Sequence, residues 1–230
     1  MRRIVRISLA ILLVLVIAGI VAYFTAGTKM FLINRVEVIG TVTVDAKDVV
    51  ALSGISADDS LLSISTGDIQ KRVETDTLLV VKRVRRCFPD AIEITVTERE
   101  AVALVKRGTR LMEASGDGFI IRDNARSLDL PVLSRFSGDG GTKDAELTET
   151  LSTLAALRTN NAALYGMVSE IVSTGDEFLV YPRQFKVTAI LARPLSIERL
   201  TKLQALIAML RQSKEQASTI DLRFKDAVIR

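Results

Sequence analysis

The chain has 230 residues, 48% of them hydrophobic and 25% charged, with a mean hydropathy of +0.29, which is too apolar for disorder and long enough for one or two cores. Its net charge of +4 falls to +1 once Arg2, Arg3 and Arg6 at the N-terminus are set aside, so a basic nucleic-acid-binding face is not expected. There is no His, no Trp and one cysteine, Cys87, which removes His-based triads, His-ligated metals and internal disulfides; Cys87 reads as a small packing residue beside Phe88.

The first predicted element is a transmembrane helix over 7–28. These 22 residues carry no charge and would reach about 33 Å as a helix, against a hydrocarbon core of about 30 Å. A cleavable signal peptide is the rival, but the run is long for one and Thr25 and Gly27 form a weak cleavage site. Three arginines before the span and only Lys29 soon after it place residues 1–6 in the cytoplasm and the bulk of the chain outside.

Residues 31–39 then alternate imperfectly, with Val36 and Val38 on one face, and read as a strand ended by Gly40. A short helix capped by Thr43 or Asp45 carries Ala46, Val49, Val50 and Leu52 and closes at Gly54; a second opens at Ser65 or Thr66 and presents Ile69 and Val73 on one face. Strands over 78–86 and 91–97 follow, joined by Pro89–Asp90 turn chemistry. In the later strand Ile92, Ile94 and Val96 alternate with polar residues, as a half-buried strand requires. The apolar phase of the earlier one slips between Val81 and Val84 and it carries Lys82, Arg83, Arg85 and Arg86, which suits a bulged or charged edge strand, either a docking site for an acidic partner or a protected solvent edge.

Further strands are expected over 101–106, 109–114 and 119–122, with 130–133 behind them, then a glycine-rich loop over 137–143 and a helix showing Leu147, Leu151 and Leu154 on one face. Strands over 167–172, 177–181 and 184–191 precede a long helix that Ser196 can cap, with Ile197, Leu200, Leu203, Ile207 and Leu210 inward. The last strand, 218–224, alternates Ile220, Leu222 and Phe224 with Asp221, Arg223 and Lys225. The fold class is therefore α+β: a transmembrane helix, a small β-α-α-β-β domain over 29–99 and a mainly antiparallel β domain with flanking helices over 100–230.

No catalytic constellation emerges. The 137–143 loop lacks the G-x-x-x-x-G-K-[ST] of a phosphate cradle, and no S-x-x-K spacing occurs. Glu98, Glu100, Glu113 and Asp117 could form a carboxylate pair of a cell-wall hydrolase, but nothing in the sequence splits their acid and base roles, and aromatic residues are sparse. No enzyme activity, cofactor, metal, nucleic acid or small-molecule substrate is expected.

The strand-helix-helix-strand-strand order behind a membrane span resembles a POTRA module. With 31–40 (FLINRVEVIG), 84–100 (VRRCFPDAIEITVTERE), Ala101–Val102–Ala103, 111–121 (LMEASGDGFII), 130–133 (LPVL) and 220–230 (IDLRFKDAVIR) in the same order, the chain resembles the FtsQ/DivIB family of bacterial cell-division proteins. The resemblance implies a non-enzymatic divisome scaffold at the septum of the inner membrane, binding FtsB-like and FtsL-like single-span proteins and other divisome components. It implies a partner-binding C-terminal strand, here Thr219, Ile220, Asp221, Leu222, Arg223, Phe224, Lys225 and Asp226, and recruitment through the first domain's edge strand, here Val80, Val81, Arg83 and Arg85. A final strand at a sheet edge suits such binding, because its unpaired N–H and C=O groups can accept a partner strand. The rival among scaffolds is a POTRA protein of outer-membrane assembly or secretion.

Overall fold

The computed structural model describes residues 11–20, 31–124, 127–136, 145–224 and 226–230. Residues 11–20 are helical (α1), and no helix among the described residues is long and apolar enough to cross a membrane. The predicted span 7–28 lies in large part outside the described residues. So does the glycine-rich loop 137–143. The described residues fall into two compact units, divided between Glu98 and Arg99.

In the first unit, β1 (Arg35–Ile39), α2 (Ala46–Ser53), α3 (Thr66–Val73), β2 (Leu79–Cys87) and β3 (Ala91–Glu98) follow the predicted order. Asp45 caps α2 by accepting from the Lys47 amide, Gly54 ends it in the left-handed conformation, and Ser65 caps α3 by accepting from the Asp68 amide. The sheet order is β1-β3-β2, with β1 parallel and β2 antiparallel to β3. Ile92, Ile94 and Val96 of β3 point into a core shared with Val49, Ile69, Val73, Leu79 and Val81. The register of β2 shifts between Val81 and Arg83, the bulge that its slipping pattern predicts, and β2 is an outer strand.

The second unit is a nine-stranded mixed sheet. Its strands are β4 (Ala101–Arg107), β5 (Arg110–Ser115), β6 (Ile120–Asp123), β7 (Val132–Ser134), β8 (Val168–Ser173), β9 (Glu177–Pro182), β10 (Thr188–Ala192), β11 (Thr219–Asp221) and β12 (Val228–Ile229). They lie in the order β12-β11-β10-β9-β8-β7-β4-β5-β6, with β4–β7, β7–β8 and β10–β11 parallel and the other pairs antiparallel. Helices α4 (Ala145–Asn160), α5 (Ala162–Met167) and α6 (Ile197–Ser213) share one core with the sheet. Leu147, Leu151, Leu154 and Leu157 of α4 and Leu200, Leu203, Ile207 and Leu210 of α6 meet Ile171, Phe178, Val180, Ala189, Leu191 and Ile220 there.

Four sequence readings are corrected. The strand expected from residue 184 starts at Thr188, because Gln184 takes a positive φ of 62° and 183–187 turn instead. The strand expected from residue 167 starts at Val168, since the preceding residues form α5, capped by Asn161. Ile197 is exposed, in the first turn of α6 ahead of its packed stripe, and Ser196 stands at the N-cap without a side-chain cap bond. The last strand stops at Asp221, and β12 folds back beside it.

Candidate functional site

β11 is pinned between two neighbours. On one side it runs parallel to β10, with the Thr188 amide donating to the Ser218 carbonyl at 3.0 Å and the Leu222 amide donating to the Ile190 carbonyl at 2.8 Å. On the other it pairs with β12, Ile220 opposite Ile229 and Asp221 opposite Val228. Arg230 extends that ladder, exchanging two backbone bonds of 3.0 Å with Thr219 while its carbonyl also accepts from the Ser218 amide at 2.7 Å. The expected free edge at Thr219–Asp221 is thus covered by the chain's own 228–230, and β12 is the outer strand of the sheet. The cover is slight. β12 is two residues long, and Val228 and Ile229 remain 43% and 39% exposed.

The expected site residues divide by face. Ile220 and Leu222 are buried in the core. Asp221 faces the other way and is clasped by Arg223, whose guanidinium reaches it at 2.6 Å and Glu177 at 2.9 Å. Hydrogen bonding from Arg223 holds the Asp221 carboxyl below the usual carboxylate range. Beyond this clasp the chain leaves the sheet and Phe224 stands 67% exposed, a large aromatic surface next to a shallow groove lined by Ser196, Glu198, Arg199 and Lys202. Asp226 is exposed; Lys225 lies outside the described residues.

On β2 the structure separates the four recruitment candidates. Val81 is buried in the core, and Val80 is half-buried. Arg83 and Arg85 are exposed, Arg85 forming a 2.9 Å ion pair with Glu93. A partner on this edge would meet the arginines and the backbone, not Val81.

The carboxylates weighed for hydrolysis each make a contact within the fold. Glu98 accepts from the amides of Val42, Thr43 and Val44 at 2.7, 2.7 and 2.9 Å and from the Thr43 hydroxyl at 2.5 Å, clamping the β1–α2 loop to the end of β3. Partial burial pushes its pKa up, but these four donors outweigh it and hold the carboxyl at about 2, down from 4.5. Glu113 is fully buried with the Arg122 guanidinium at 3.2 Å; Glu100 reaches Arg158 at 3.5 Å. Asp117 accepts from the Ser115 hydroxyl and from Arg99, which together keep it low against the cost of burial.

The Glu98 clamp has a pH signature. Its folded pKa lies below the unfolded one, so its contribution is complete above about pH 5 and drains away as the pH falls toward 2. Taken in full the shift is worth about 3 kcal/mol at about 1.4 kcal/mol per unit, and solvent screening of a partly exposed carboxylate leaves about 1–2 kcal/mol. Glu98→Gln is expected to cost that amount at pH 7 and little at pH 2.5. Urea unfolding of the first unit against pH checks it: an equal loss at both pH values would remove the clamp's ionic basis.

Three further contributors escape sequence reading. β12 is too short to show a pattern, and Glu177 gives no hint that it braces Arg223 from 46 residues away. Gly40 is the third: beyond ending a strand, it has a φ of +98° and the Val96 carbonyl where a side chain would stand, which make it a required backbone position.

The family model for the POTRA domain, FtsQ-type, matches residues 31–99. Over 153 residues the chain is 28% identical to the cell division protein FtsQ of Geotalea daltonii, a stretch covering 64% of this chain and 55% of that one. It is 25% identical over 210 residues to FtsQ of a Geobacter species, covering 88% and 76% respectively. The matched stretch thus spans little more than half of the first relative's length and about three quarters of the second's. The solved major extracytoplasmic domain of the cell-division protein DivIB from Geobacillus stearothermophilus, in its trans isomer, aligns with a TM-score of 0.39 at 20% identity, covering 50% of this chain and 97% of that one. The chain thus carries an FtsQ-type POTRA domain over 31–99, and its similarity to FtsQ cell-division proteins runs on through the second unit.

Proposed function

We propose that this protein is a bitopic, non-catalytic scaffold of the bacterial divisome, anchored in the inner membrane by 7–28 with its N-terminus in the cytoplasm. Its two exported units hold FtsB-like and FtsL-like single-span proteins and help control septal peptidoglycan synthesis. One observation carries the partner site: a strand of the main sheet, β11, is covered on its outer side only by the two-residue β12, with Phe224 exposed where the strand ends. A partner segment adds as a strand along Thr219–Asp221 in the place of β12, drawing affinity from backbone bonds and specificity from a pocket on Phe224. The relatives' name, cell division protein FtsQ, favours this over a role in outer-membrane assembly or secretion.

The test is site-specific photo-crosslinking from Phe224 in the native membrane, with the captured protein identified by mass spectrometry. A small single-span coiled-coil division protein is the expected adduct. An outer-membrane or secretion component would move the chain to the rival role, and the absence of any adduct would remove this edge as the docking site. Recruitment is assigned to the outer strand β2, where reversing the charges of Arg83 and Arg85 is expected to abolish septal localisation of an otherwise folded protein.

A further inference from the structure

The uncharged run 7–28 ends three residues before Phe31, so the Cα of Phe31 lies within about 11 Å of its end whatever path the chain takes between them. Around Phe31 the first unit gathers apolar surface. The Phe88 ring meets the Phe31 ring edge-on, with centroids 5.8 Å apart and planes at 87°, yet Phe88 is 61% exposed. The Leu61 amide donates to the Phe31 carbonyl at 2.8 Å, and Leu62 beside it is 57% exposed. The topology brings these together: β1 enters parallel to β3 with Arg35 opposite Ala91, so the incoming chain and the β2–β3 hairpin tip share one end of the sheet. Asn34 fastens them, its amide donating to the Asp90 carbonyl at 2.9 Å and its side chain to the Asp90 carboxylate at 3.3 Å.

From this placement we propose that Phe31, Leu62 and Phe88 form a wedge seated in the headgroup–acyl boundary of the bilayer that 7–28 spans, docking this end of the domain on the membrane. The proposal rests on the membrane-anchor reading above. Aromatic residues favour this depth, and a large exposed ring next to a membrane-entry point gains from burial there what it would otherwise lose to water. The charge around the wedge is mixed, with Arg86 donating to the Ile64 carbonyl at 2.6 Å and Asp59 and Asp90 at the same end. The wedge therefore works through apolar area, and zwitterionic lipid suffices.

The chain contains no tryptophan, so Phe88→Trp and, as a second probe, Leu62→Trp each give a single fluorophore. The full chain is reconstituted into phosphatidylcholine vesicles, with Val42→Trp as the comparison. Val42 is exposed beside the Glu98 clamp, at the opposite end of the sheet. Blue-shifted emission from residues 88 and 62, quenched by lipids brominated high on the acyl chain, is expected, with residue 42 water-like and unquenched. Water-like emission from both probes in protein that floats with the vesicles overturns the wedge and leaves the anchor standing. A blue shift that lipid-borne bromine does not quench puts a protein surface there and also overturns it. Protein that washes off the vesicles at alkaline pH overturns anchor and wedge together.

Discussion

Gly40→Ala is expected to destabilise the first unit by about 2–5 kcal/mol while leaving the second intact. Gly40 sits at the end of β1 with φ of +98°, and a Cβ built there would lie 2.1 Å from the carbonyl oxygen of Val96. That oxygen belongs to the backbone of β3, whose Val96 side chain is fully buried, so the obstacle cannot swing aside as a flexible side chain would. A positive φ costs an L-residue about 1–2 kcal/mol, and forcing β1 away from β3 adds about 1–3 kcal/mol more. The matched POTRA stretch 31–99 would be stable by only about 3–10 kcal/mol at typical values per residue, so a large share of its margin is lost. The Val42–Val44 amides that Glu98 clamps follow immediately after, so the clamp fails with the turn. Gly54→Ala is the control. Its φ of +63° lies inside the small left-handed well and costs an L-residue less than the +98° of Gly40, and its Cβ would meet only the far end of the Arg72 side chain at 3.3 Å. Calorimetry of the two variants should show the first unit's transition lost or far down-shifted for Gly40→Ala, modestly shifted for Gly54→Ala, and the second unit's unmoved in both. Equal shifts would mean that the close approach to Val96 does not matter.

What the sequence could disclose follows the burial physics. β3 is legible because one face is dry and one wet, so Ile92, Ile94 and Val96 print a period of two. The β2 bulge is legible for the same reason: an extra residue between Val81 and Arg83 must break that period, and it does. The C-terminus defeats the same logic. Ile220 and Leu222 obey the period and are buried, but Phe224 continues it on paper and stands in solvent, because the Asp221–Arg223–Glu177 clasp turns the chain off the sheet. Whether a strand is an edge depends on what returns to it, and Val228–Ile229 is too short to announce itself. The parallel pairs β4–β7, β7–β8 and β10–β11 join segments whose spacing along the chain is silent about their neighbours. α5 escaped because its six residues, Ala162–Met167, are too few for a helical period, although Asn161 was a cap in plain view.

Removing residues 227–230 is expected to tighten partner capture by about 7–30-fold. If the partner strand adds to β11, β12 is a tethered competitor for the same N–H and C=O groups, and the partner's apparent affinity is scaled by the fraction of time the edge is open. The competitor is weak. Its hold comes from the two bonds between Arg230 and Thr219, those from Ser218, and the packing of Ala227, with Val228 and Ile229 still 43% and 39% exposed. At a net of about 0.5–1.5 kcal/mol per backbone bond, less the entropy of ordering the segment, docking is worth about 1–2 kcal/mol, which leaves the edge open about 3–15% of the time. Deletion makes it open always, and the gain is the reciprocal of that fraction. The measurement is a titration of the reconstituted full chain and of the deletion variant with the exported segment of the protein captured from Phe224. An unchanged affinity would mean that the partner adds outside β12 and that β12 is a permanent strand of the sheet. A weaker one would mean that Val228 and Ile229 contact the partner themselves. Only a strengthening is consistent with a segment that fills its own docking site until a longer, better-paired strand displaces it, and such a segment also answers a hazard of the fold. An open edge on a nine-stranded sheet invites pairing with any passing strand, and a short self-paired cover guards it at a cost a specific partner can overcome.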